Sequence, residues 1–257
     1  MRINNAVVRR PGSNCADGIT TASLGAPVFE ASRAQHAAYC AALRNAGVAV
    51  TVLEPAANFP DAHFVEDTAV LAATRAVLTR PGADARLGEV AAIREPLERF
   101  FEFIDEIVAP GRLDGGDVCD ADAHVYIGLS HRTNLAGAMQ LGEILKNAGQ
   151  TATVIDIRDV PGILHLKSGM SYLGDGRFVA IDALAPRIAA PPDRIFRVRA
   201  PEEYGANCIR VNSAVLLPAG HARLHEALAR AGYAVVALDM SEFQKMDGGL
   251  SCLSLRF

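Results

Sequence analysis

The sequence predicts an α/β fold in which about five similar units of strand and helix form a closed ring. Three segments share a short apolar strand that ends at a Pro/Gly turn: residues 6–12, 76–82 and 214–220. Three others share the end of a helix, a glycine and a further strand: residues 43–50, 145–152 and 228–235. Such a repeat indicates a solenoid or a ring, since one unit cannot bury its apolar face alone.

Five polar blocks recur along the chain at a spacing of roughly 40 to 50 residues, a period typical of repeat architectures. They are residues 64–67, 114–117, 165–168, 206–208 and 247–252. Five units of roughly 50 residues fill the chain and leave nothing for the terminal caps that an open solenoid needs. Equivalent positions in a closed ring meet at its axis, so we expect the blocks to surround one pocket.

Helices are predicted where apolar residues recur at helical spacing and a glycine follows: residues 32–46, 133–148 and 222–231. Residues 87–104 have the same pattern, but we expect Pro96 to kink or divide that helix. Strands are predicted where β-branched residues cluster: residues 48–53, 69–78, 124–127, 151–157, 177–181, 195–198, 209–217 and 233–238. Some strands follow one another directly, so the class is α/β without a plain doubly wound order.

The composition is that of an ordinary globular chain. Hydrophobic residues make up 50% of the 257 positions and charged residues 21%, which is enough to build a sizeable core. No Ser/Gly/Pro-rich linker interrupts the sequence, and we expect one catalytic domain over residues 1–257. A net charge of −4 at pH 7 gives no general attraction to nucleic acid or to anionic membranes.

The sequence shows no signal for secretion, membrane insertion or nucleotide binding. The first residues run straight into a strand, and no apolar run approaches the ~18 residues of a membrane helix. The five cysteines are odd in number and lack Cys-x-x-Cys spacing, which argues against a disulfide framework or structural zinc. Neither of the glycine-rich nucleotide-binding motifs, Gly-x-Gly-x-x-Gly and Gly-x4-Gly-Lys-Ser/Thr, occurs in the sequence. We expect a cytoplasmic protein without a cofactor or a metal.

Cys252 and His165 are the strongest candidates for catalysis. Cys252 follows a Gly-Gly pair, which lets a backbone approach a ligand closely, and it occupies the same place in its unit as His165 does in another. Taken alone, each also fits a structural role, as a buried thiol or a core histidine. Together they fit a nucleophile and a base, with Asp114 or Asp117 orienting the imidazole. Asp117 equally fits a simpler role in bonding the backbone of its turn.

A cluster of acids indicates a positively charged ligand. Asp61, Glu66 and Asp67 lie close together beside the aromatic Phe64. On a surface they would form an ordinary solvated loop. Carboxylates around a Cys–His pair are unsuited to acyl transfer, in which an oxyanion develops. They suit a guanidinium, which is planar, permanently charged and matched to carboxylates in bidentate geometry.

Two arginines at predicted strand ends, Arg80 and Arg132, are candidates for binding a substrate carboxylate. Each also fits an ordinary surface position. His221 and His225 lie one turn apart on a predicted helix, but the His-Glu-x-x-His pattern is absent, so we expect no zinc site there.

The chain resembles the dimethylarginine dimethylaminohydrolases of the amidinotransferase-like, or pentein, superfamily. The resemblance covers essentially the whole length and rests on ordered motifs: Asp17-Gly-Ile19, Phe59-Pro-Asp61, Phe64-Val-Glu-Asp67, Thr79-Arg-Pro-Gly82, Leu113-Asp-Gly-Gly-Asp117, Arg132-Thr-Asn134, His165-Leu-Lys167, Ala206-Asn-Cys208 and Asp247-Gly-Gly-Leu-Ser-Cys252. It implies a five-bladed α/β propeller of ββαβ repeats around a central active site, in agreement with the period of the polar blocks.

The resemblance also implies a role for each candidate residue. Cys252 would be the nucleophile, His165 the general acid and base, and Asp114 its partner. The other positions would bind substrate: Asp67 and Glu66 at the guanidinium, Arg80 and Arg132 at the α-carboxylate, and Asp61, Phe64, Asp247, Ile19 and Met246 around the rest of the molecule.

The implied reaction is hydrolysis of N-omega-methylated arginines to citrulline through a covalent cysteine intermediate. The implied partner is a small-molecule substrate, without nucleic acid, membrane, cofactor or metal, in a monomer or homodimer. One alternative is an arginine deiminase or an amidinotransferase, although deiminases are usually longer by a helical insertion. The other is a non-catalytic amino-acid-binding protein on the same fold.

Overall fold

The chain forms five small sheets of three strands each in the computed structural model, which describes residues 2–72 and 75–257. In each sheet the central strand pairs antiparallel with one neighbour and parallel with the other. The parallel pair requires a crossover, because the chain has to return to the same end of the sheet. Helices supply this crossover in four of the five units.

The units follow one another along the chain. The first contains β1 (Asn5–Arg9), α1 (Phe29–Asn45) and β2 (Ala49–Leu53). The second and third contain β3 (Ala69–Ala72), β4 (Arg75–Leu78), α2 (Ala91–Glu98), β5 (Phe103–Glu106), β6 (Val118–Ala121), β7 (His124–Leu129), α3 (Leu135–Asn147) and β8 (Thr151–Asp156). The fourth and fifth contain α4 (Leu166–Gly169), β9 (Met170–Gly174), β10 (Arg177–Ile181), β11 (Ile195–Val198), β12 (Ile209–Val211), β13 (Ala214–Pro218), α5 (Ala222–Arg230) and β14 (Ala234–Leu238). The chain ends with α6 (Ser241–Gln244) and β15 (Leu255–Arg256).

The C-terminal strand β15 completes the first sheet and closes the ring. Ala6 of β1 lies opposite Arg256 in an antiparallel pair. The backbone amides of Asn4 and Asn5 both donate to the carbonyl oxygen of Phe257, at 2.8 and 2.7 Å. Because the two ends of the chain share one sheet, the first and last units are neighbours. The predicted ring of five α/β units is therefore confirmed.

Apolar side chains pack between neighbouring units rather than within one of them. Val7 and Leu255 of the first sheet, for example, pack in one cluster with Leu78 of the second. Similar clusters join the second unit to the third, the third to the fourth and fifth, and the fifth to the first. Each small sheet therefore relies on its neighbours to bury its apolar face, as repeat architectures require.

Five short helical turns, which we call the axial turns, lie beside one another at the centre of the ring. They are Val65–Thr68, Gly115–Asp117, Leu166–Gly169, Glu203–Ala206 and Ser251–Leu253, and each leads into the first strand of a sheet. Consecutive turns contact one another, the last two through hydrogen bonds between Asn207 and Ser251. The predicted meeting of the five polar blocks at the axis therefore holds.

The predicted ends of three helices are confirmed. The helices α1, α3 and α5 each stop two residues before a glycine with positive φ, which are Gly47 (86°), Gly149 (83°) and Gly232 (91°). None of the helices in residues 2–72 and 75–257 has the length and apolar character needed to cross a membrane.

The predicted helix over residues 87–104 is wrong in its second half. The helix α2 ends at Glu98, two residues after Pro96, and Phe103 already belongs to β5. Proline lacks the amide hydrogen that the preceding turn would accept, so the helix is weak at this point. Pairing of Phe103 with Arg75 across the parallel strands then gives the following residues other hydrogen bonds.

Two segments predicted as single strands are hairpins. Residues 69–78 form β3 and β4, and positions 73 and 74 between them lie outside the described residues. Residues 209–217 form β12 and the start of β13, with Val211 opposite Ala214. Asn212 makes the tight turn with a φ of 55°, a conformation that asparagine tolerates better than most residues. A continuous apolar pattern on both sides of Asn212 hid this turn in the sequence.

The fourth unit has no crossover helix. Two short helical turns, Ala185–Arg187 and Pro192–Arg194, connect β10 to β11. This connection is rich in proline, and proline weakens a helix interior. The proline-rich stretch lies within one unit.

Candidate active site

Side chains from three neighbouring axial turns meet on one side of the ring centre. Asp67, Asp114 and His165 each contribute one nitrogen or oxygen atom, and these atoms lie within 4.8 Å of one another. All three side chains are buried. They come from three successive units. The arrangement of the units around one axis, and not local sequence, therefore brings them together.

His165 and Asp114 form a hydrogen-bonded pair. His165 Nε2 lies 2.9 Å from Asp114 Oδ2, and Asp114 Oδ1 accepts a 2.7 Å hydrogen bond from the amide of Gly82. Burial lowers the pKa of His165, but the charges of Asp67 and Asp117 and the bond to Asp114 outweigh burial and raise the pKa to about 9. The imidazole is therefore protonated at neutral pH.

Asp117 stabilises the backbone segments that carry Asp114 and His165. Its Oδ2 accepts a 2.6 Å hydrogen bond from the hydroxyl of Thr133, and its Oδ1 accepts a 3.0 Å bond from the amide of Leu166. The amide of Asp114 in turn donates to Thr133 Oγ1 at 3.1 Å. Asp117 thus ties together the loops that carry the pair. Of the two aspartates that the sequence left open, Asp114 is the one that bonds the imidazole.

Asp67 lies close to the imidazole and to a buried arginine. Its Oδ1 accepts a 2.9 Å hydrogen bond from the amide of Gly116, and its Oδ2 accepts a 2.5 Å bond from Arg86 Nη1. A Cβ at position 116 would lie 2.8 Å from both Asp67 and His165, so only glycine fits there. Burial raises the pKa of Asp67, but His165 and Arg86 outweigh burial and lower the pKa to about 2. Asp67 is therefore ionised at neutral pH.

Arg86 is a site residue that the sequence patterns missed. Its buried guanidinium is bound by Asp67, by both oxygens of Glu89 and, at 3.0 Å, by the backbone carbonyl of Phe64. A carboxylate accepts about four hydrogen bonds, so Asp67 keeps acceptor capacity for a ligand. In the sequence, the Arg86–Glu89 spacing resembles any surface ion pair on a helix, which gave no reason to select it.

The neighbouring carboxylate, Glu66, faces other partners. Its Oε1 lies 2.7 Å from Lys167 Nζ, and its Oε2 accepts a 2.8 Å hydrogen bond from the hydroxyl of Ser251. Arg256 Nη2 lies 3.6 Å from Oε1. Glu66 and Asp67 are therefore engaged by different groups of the protein, although the sequence predicted that both hold one guanidinium.

Cys252 is buried in the fifth axial turn. Its amide donates a 3.2 Å hydrogen bond to the carbonyl of Gly249, and its Sγ lies 3.9 Å from Ser251 Oγ. A Cβ at position 249 would lie 2.5 Å from Asn207, so this glycine allows close packing within the protein. Throughout the described part of the chain, no hydrogen bond joins Cys252 to His165. Catalytic contacts often tighten only when substrate binds.

The thiol of Cys252 is neutral in this arrangement. Burial raises the pKa of Cys252, and the negative charges of Glu66 and Asp67 add to this effect, so that the pKa reaches about 12. A cation bound at Asp67 would oppose this effect and favour the thiolate.

Arg132 and Arg80 have different partners in the structure. Arg132 Nη1 lies 4.0 Å from Asp114 Oδ2, and its charge also lowers the pKa of Asp61 against the larger effect of burial. Arg80 donates a 3.3 Å hydrogen bond to the carbonyl of Gly111 and forms no ion pair within residues 2–72 and 75–257. Arg132 is therefore the better placed of the two to bind a ligand carboxylate.

The predicted amino-acid end of the site contains a loop held by two aspartates. The amide of Ile19 donates to both oxygens of Asp61, at 3.2 and 3.1 Å. The amide and hydroxyl of Thr21 donate to Asp247 Oδ2, at 2.5 and 2.9 Å. Both carboxylates are thus occupied by the loop that carries Ile19, and Ile19 itself is 40% exposed.

Phe64 and Met246 belong to the apolar cluster that contains Cys252. Both side chains are buried. The ring of Phe64 packs against His63 with a centroid distance of 4.0 Å and against Phe243 at 6.2 Å. These residues give the thiol an apolar surrounding on this side.

Comparison with known proteins identifies the family, although no protein-family model matches the chain. The chain is 40% identical to N(G),N(G)-dimethylarginine dimethylaminohydrolase from Pseudomonas aeruginosa over 98% of both chains. It is 34% identical to the protein of the same name from Streptomyces coelicolor, over 100% of this chain and 98% of that one. A solved structure of the Pseudomonas aeruginosa protein, a cysteine-to-serine variant with citrulline, matches all of both chains with a TM-score of 0.94 at 38% identity. The chain therefore belongs to the dimethylarginine dimethylaminohydrolase family.

Proposed function

We propose that this protein hydrolyses asymmetric dimethylarginine and monomethylarginine to citrulline and dimethylamine or methylamine. The observation that carries the proposal is the buried, ionised Asp67 beside the His165 imidazolium, with acceptor capacity left for a cationic ligand. The names of the two relatives and the citrulline bound to one of them support the same reaction.

Cys252 is the proposed nucleophile. In this mechanism Asp67 binds the substrate guanidinium and holds its central carbon near the sulfur. The bound cation stabilises the thiolate, so that the thiol releases its proton to solvent as the substrate binds. The sulfur then forms a bond to the guanidinium carbon.

His165 serves first as an acid and then as a base. The imidazolium donates its proton to the methylated nitrogen, the C–N bond breaks, and the amine leaves a thiouronium on Cys252. The neutral imidazole next takes a proton from a water molecule whose oxygen attacks the same carbon. The C–S bond then breaks as the new hydroxyl gives up its remaining proton to solvent, which releases citrulline and the thiolate. Asp114 keeps the imidazole oriented and stabilises its charged form in both steps.

The carboxylate end of the substrate is assigned to Arg132, with Arg80 as the second candidate. A guanidinium binds a carboxylate through charge-assisted, often bidentate hydrogen bonds. Asp67 alone is assigned to the substrate guanidinium, because Glu66 is paired with Lys167. The remaining substrate surface is assigned to Asp61, Phe64, Asp247, Ile19 and Met246.

Product analysis tests this proposal. The experiment compares kcat/KM for asymmetric dimethylarginine, monomethylarginine, symmetric dimethylarginine and arginine, and quantifies citrulline, both methylated amines and ammonia. We expect the first two to be preferred, since burial of each methyl gains about 0.8 kcal/mol. Symmetric dimethylarginine should react poorly, because its second methyl replaces an N–H donor to a buried carboxylate, at about 1–3 kcal/mol.

The alternatives give different products. A preference for arginine with release of ammonia would identify an arginine deiminase. Saturable binding of these ligands without any citrulline would identify an amino-acid-binding protein.

A further inference from the structure

A second charged group of residues lies next to Cys252, and the proposed mechanism does not use it. We call it the back cluster, and it consists of Glu66, Lys167, Ser251 and Arg256. Glu66 is its centre, with Lys167 Nζ at 2.7 Å, Ser251 Oγ at 2.8 Å and Arg256 Nη2 at 3.6 Å. Only 3% of Glu66 is exposed, so its negative charge depends on these partners for compensation.

The back cluster borders a cavity of about 230 Å³, which Lys167, Ser251, Arg256 and Arg210 help to line. The side chain of Lys167 is 17% exposed. Its ammonium therefore keeps contact with the cavity while it pairs with Glu66.

Ser251 connects the back cluster to the nucleophile. Its hydroxyl donates to Glu66 and lies 3.9 Å from Cys252 Sγ. The Glu66 charge is thus one side chain away from the sulfur, in a buried region where solvent screens little. Two further titratable groups interact with Cys252. Asp67 is ionised, and burial raises the pKa of Tyr204 so that this phenol stays neutral.

We propose that Lys167 is a positioning residue of the reaction: its ammonium balances the Glu66 carboxylate, so that Cys252 can become a thiolate without an uncompensated negative charge behind it. This role rests on the proposed function, in which Cys252 is the nucleophile. The substrate cation balances Asp67, but it is not placed to balance Glu66. The protein therefore supplies its own cations on that side, with Lys167 at 2.7 Å from Glu66 and Arg256 farther away at 3.6 Å.

The test is the pH dependence of alkylation of Cys252 by iodoacetamide, followed for each cysteine separately by peptide mass spectrometry. In Lys167→Met the stem remains but the charge is lost, and we expect alkylation at neutral pH to slow about tenfold, which corresponds to about one unit in the thiol pKa. Lys167→Arg keeps the charge and should restore most of the rate. The double variant Lys167→Met with Glu66→Gln removes both charges and should also return close to the original rate.

The matched control is Arg210→Met. Arg210 lines the same cavity but pairs with Asp175 at 3.1 Å and not with Glu66. This variant loses one positive charge from the cavity, and we expect the alkylation rate of Cys252 to stay within about twofold, since the lost charge is not paired with the carboxylate behind the sulfur. An equal slowing in Arg210→Met and Lys167→Met would overturn the proposal, because it would indicate a general field effect.

An unchanged pH profile of Cys252 alkylation in Lys167→Met would also overturn the proposal. If Lys167→Met does not fold, Glu66→Gln decides the question: removal of the carboxylate should accelerate alkylation, and an unchanged or slower rate contradicts the proposed balance. Alkylation requires no turnover, so this series is informative even if the protein forms no citrulline. Absence of citrulline in the unmodified protein would count against the proposed function alone.

Discussion

Glu66 and Asp67 are adjacent residues of one axial turn, both buried and both paired with a cation, yet their carboxylates have different surroundings. Asp67 pairs with Arg86 of its own unit and lies near the imidazolium of His165. Glu66 pairs with Lys167 and Ser251, which come from two other units. Successive side chains of a tight helical turn point about 120° apart, so adjacent positions reach different partners.

The different partners indicate different roles: Asp67 is proposed to bind a ligand, whereas Glu66 holds units of the ring together. Asp67 meets groups that belong to the proposed chemistry and keeps acceptor capacity for a cationic ligand. Glu66 joins three units at the axis, and its partners leave it no evident role in contacting the substrate. Both charges nevertheless raise the pKa of Cys252, after the larger effect of burial. Cys252 is therefore influenced by both carboxylates, but in the proposed mechanism the substrate neutralises only Asp67.

Loss of the sulfur is expected to have the largest effect on this arrangement. In Cys252→Ser, kcat should fall by about 10⁴-fold or more, because the hydroxyl is a poor nucleophile at neutral pH. Serine is nearly isosteric, so the melting temperature should change little. Citrulline formation under saturating substrate is the measurement. Cys208→Ser is the control at another buried cysteine and should remain active, whereas appreciable turnover by Cys252→Ser would remove Cys252 from the nucleophile role.

The second prediction tests the two carboxylates directly. In Asp67→Asn, kcat/KM for asymmetric dimethylarginine should fall by about 10² to 10³-fold, because the charge that binds the guanidinium is lost and Arg86 loses one of its two carboxylate partners. In Glu66→Gln the value of kcat/KM should stay within about tenfold of that of the unmodified protein. Its main effect should be a lower free energy of unfolding, since the partly buried Lys167 is left without its ion pair.

Steady-state kinetics and urea unfolding of both variants provide the comparison. Equal losses of kcat/KM in the two variants would show that the carboxylates act as one unit on the substrate, as the sequence pattern suggested.

The sequence contained most of the information about the ring and its catalytic candidates. The period of the polar blocks predicted that Asp114, His165 and Cys252 approach one axis, and the structure brings Asp114 into contact with His165. This succeeded because a repeat fixes equivalent positions in space regardless of their separation along the chain. Turn chemistry was harder to detect where apolar residues continued on both sides, as at Asn212.

The direction of individual side chains was not predictable from the pattern. Nothing in the pair Glu66-Asp67 indicated that one residue faces the imidazole and the other faces Lys167. Arg86 was missed for the same reason, since its partner Asp67 is identified only after the tertiary structure brings the two together. Composition and spacing indicate which groups reach the axis, whereas the local backbone decides which way each one points.

The third prediction concerns the arginines at the other end of the substrate. Arg132→Ala should raise KM by about 10- to 100-fold, the effect of losing a charge-assisted pair worth about 1.5–3 kcal/mol. Arg80→Ala should raise KM less, because its guanidinium is directed to the carbonyl of Gly111. A methylated agmatine, which lacks the carboxylate, serves as the control and should react equally with Arg132→Ala and the unmodified protein. A larger effect of Arg80→Ala would reverse this assignment.

The smallest expected effect is a difference between two pH profiles, and it distinguishes Asp67 from Glu66 without any mutation. In the empty site the thiol of Cys252 has a pKa of about 12 and the imidazole of His165 a pKa of about 9. Reaction needs the thiolate together with the imidazolium. As pH rises through neutrality, the thiolate fraction grows while the imidazolium persists, so kcat/KM should rise with pH until about pH 9 and then level off.

The profile of kcat reports the substrate complex instead of the empty site. There the bound guanidinium neutralises Asp67, while Glu66 is already balanced by Lys167, so only one of the two negative charges that act on the sulfur is newly cancelled. The thiol pKa should therefore fall by about one to two units, and the pKa of His165, which the charge of Asp67 raises, should fall as well, so kcat should level off at lower pH than kcat/KM. The check is to measure both profiles with asymmetric dimethylarginine. Profiles that level off at the same pH would mean that the substrate charge does not neutralise Asp67, and the assignment of Asp67 as the guanidinium site would then fail.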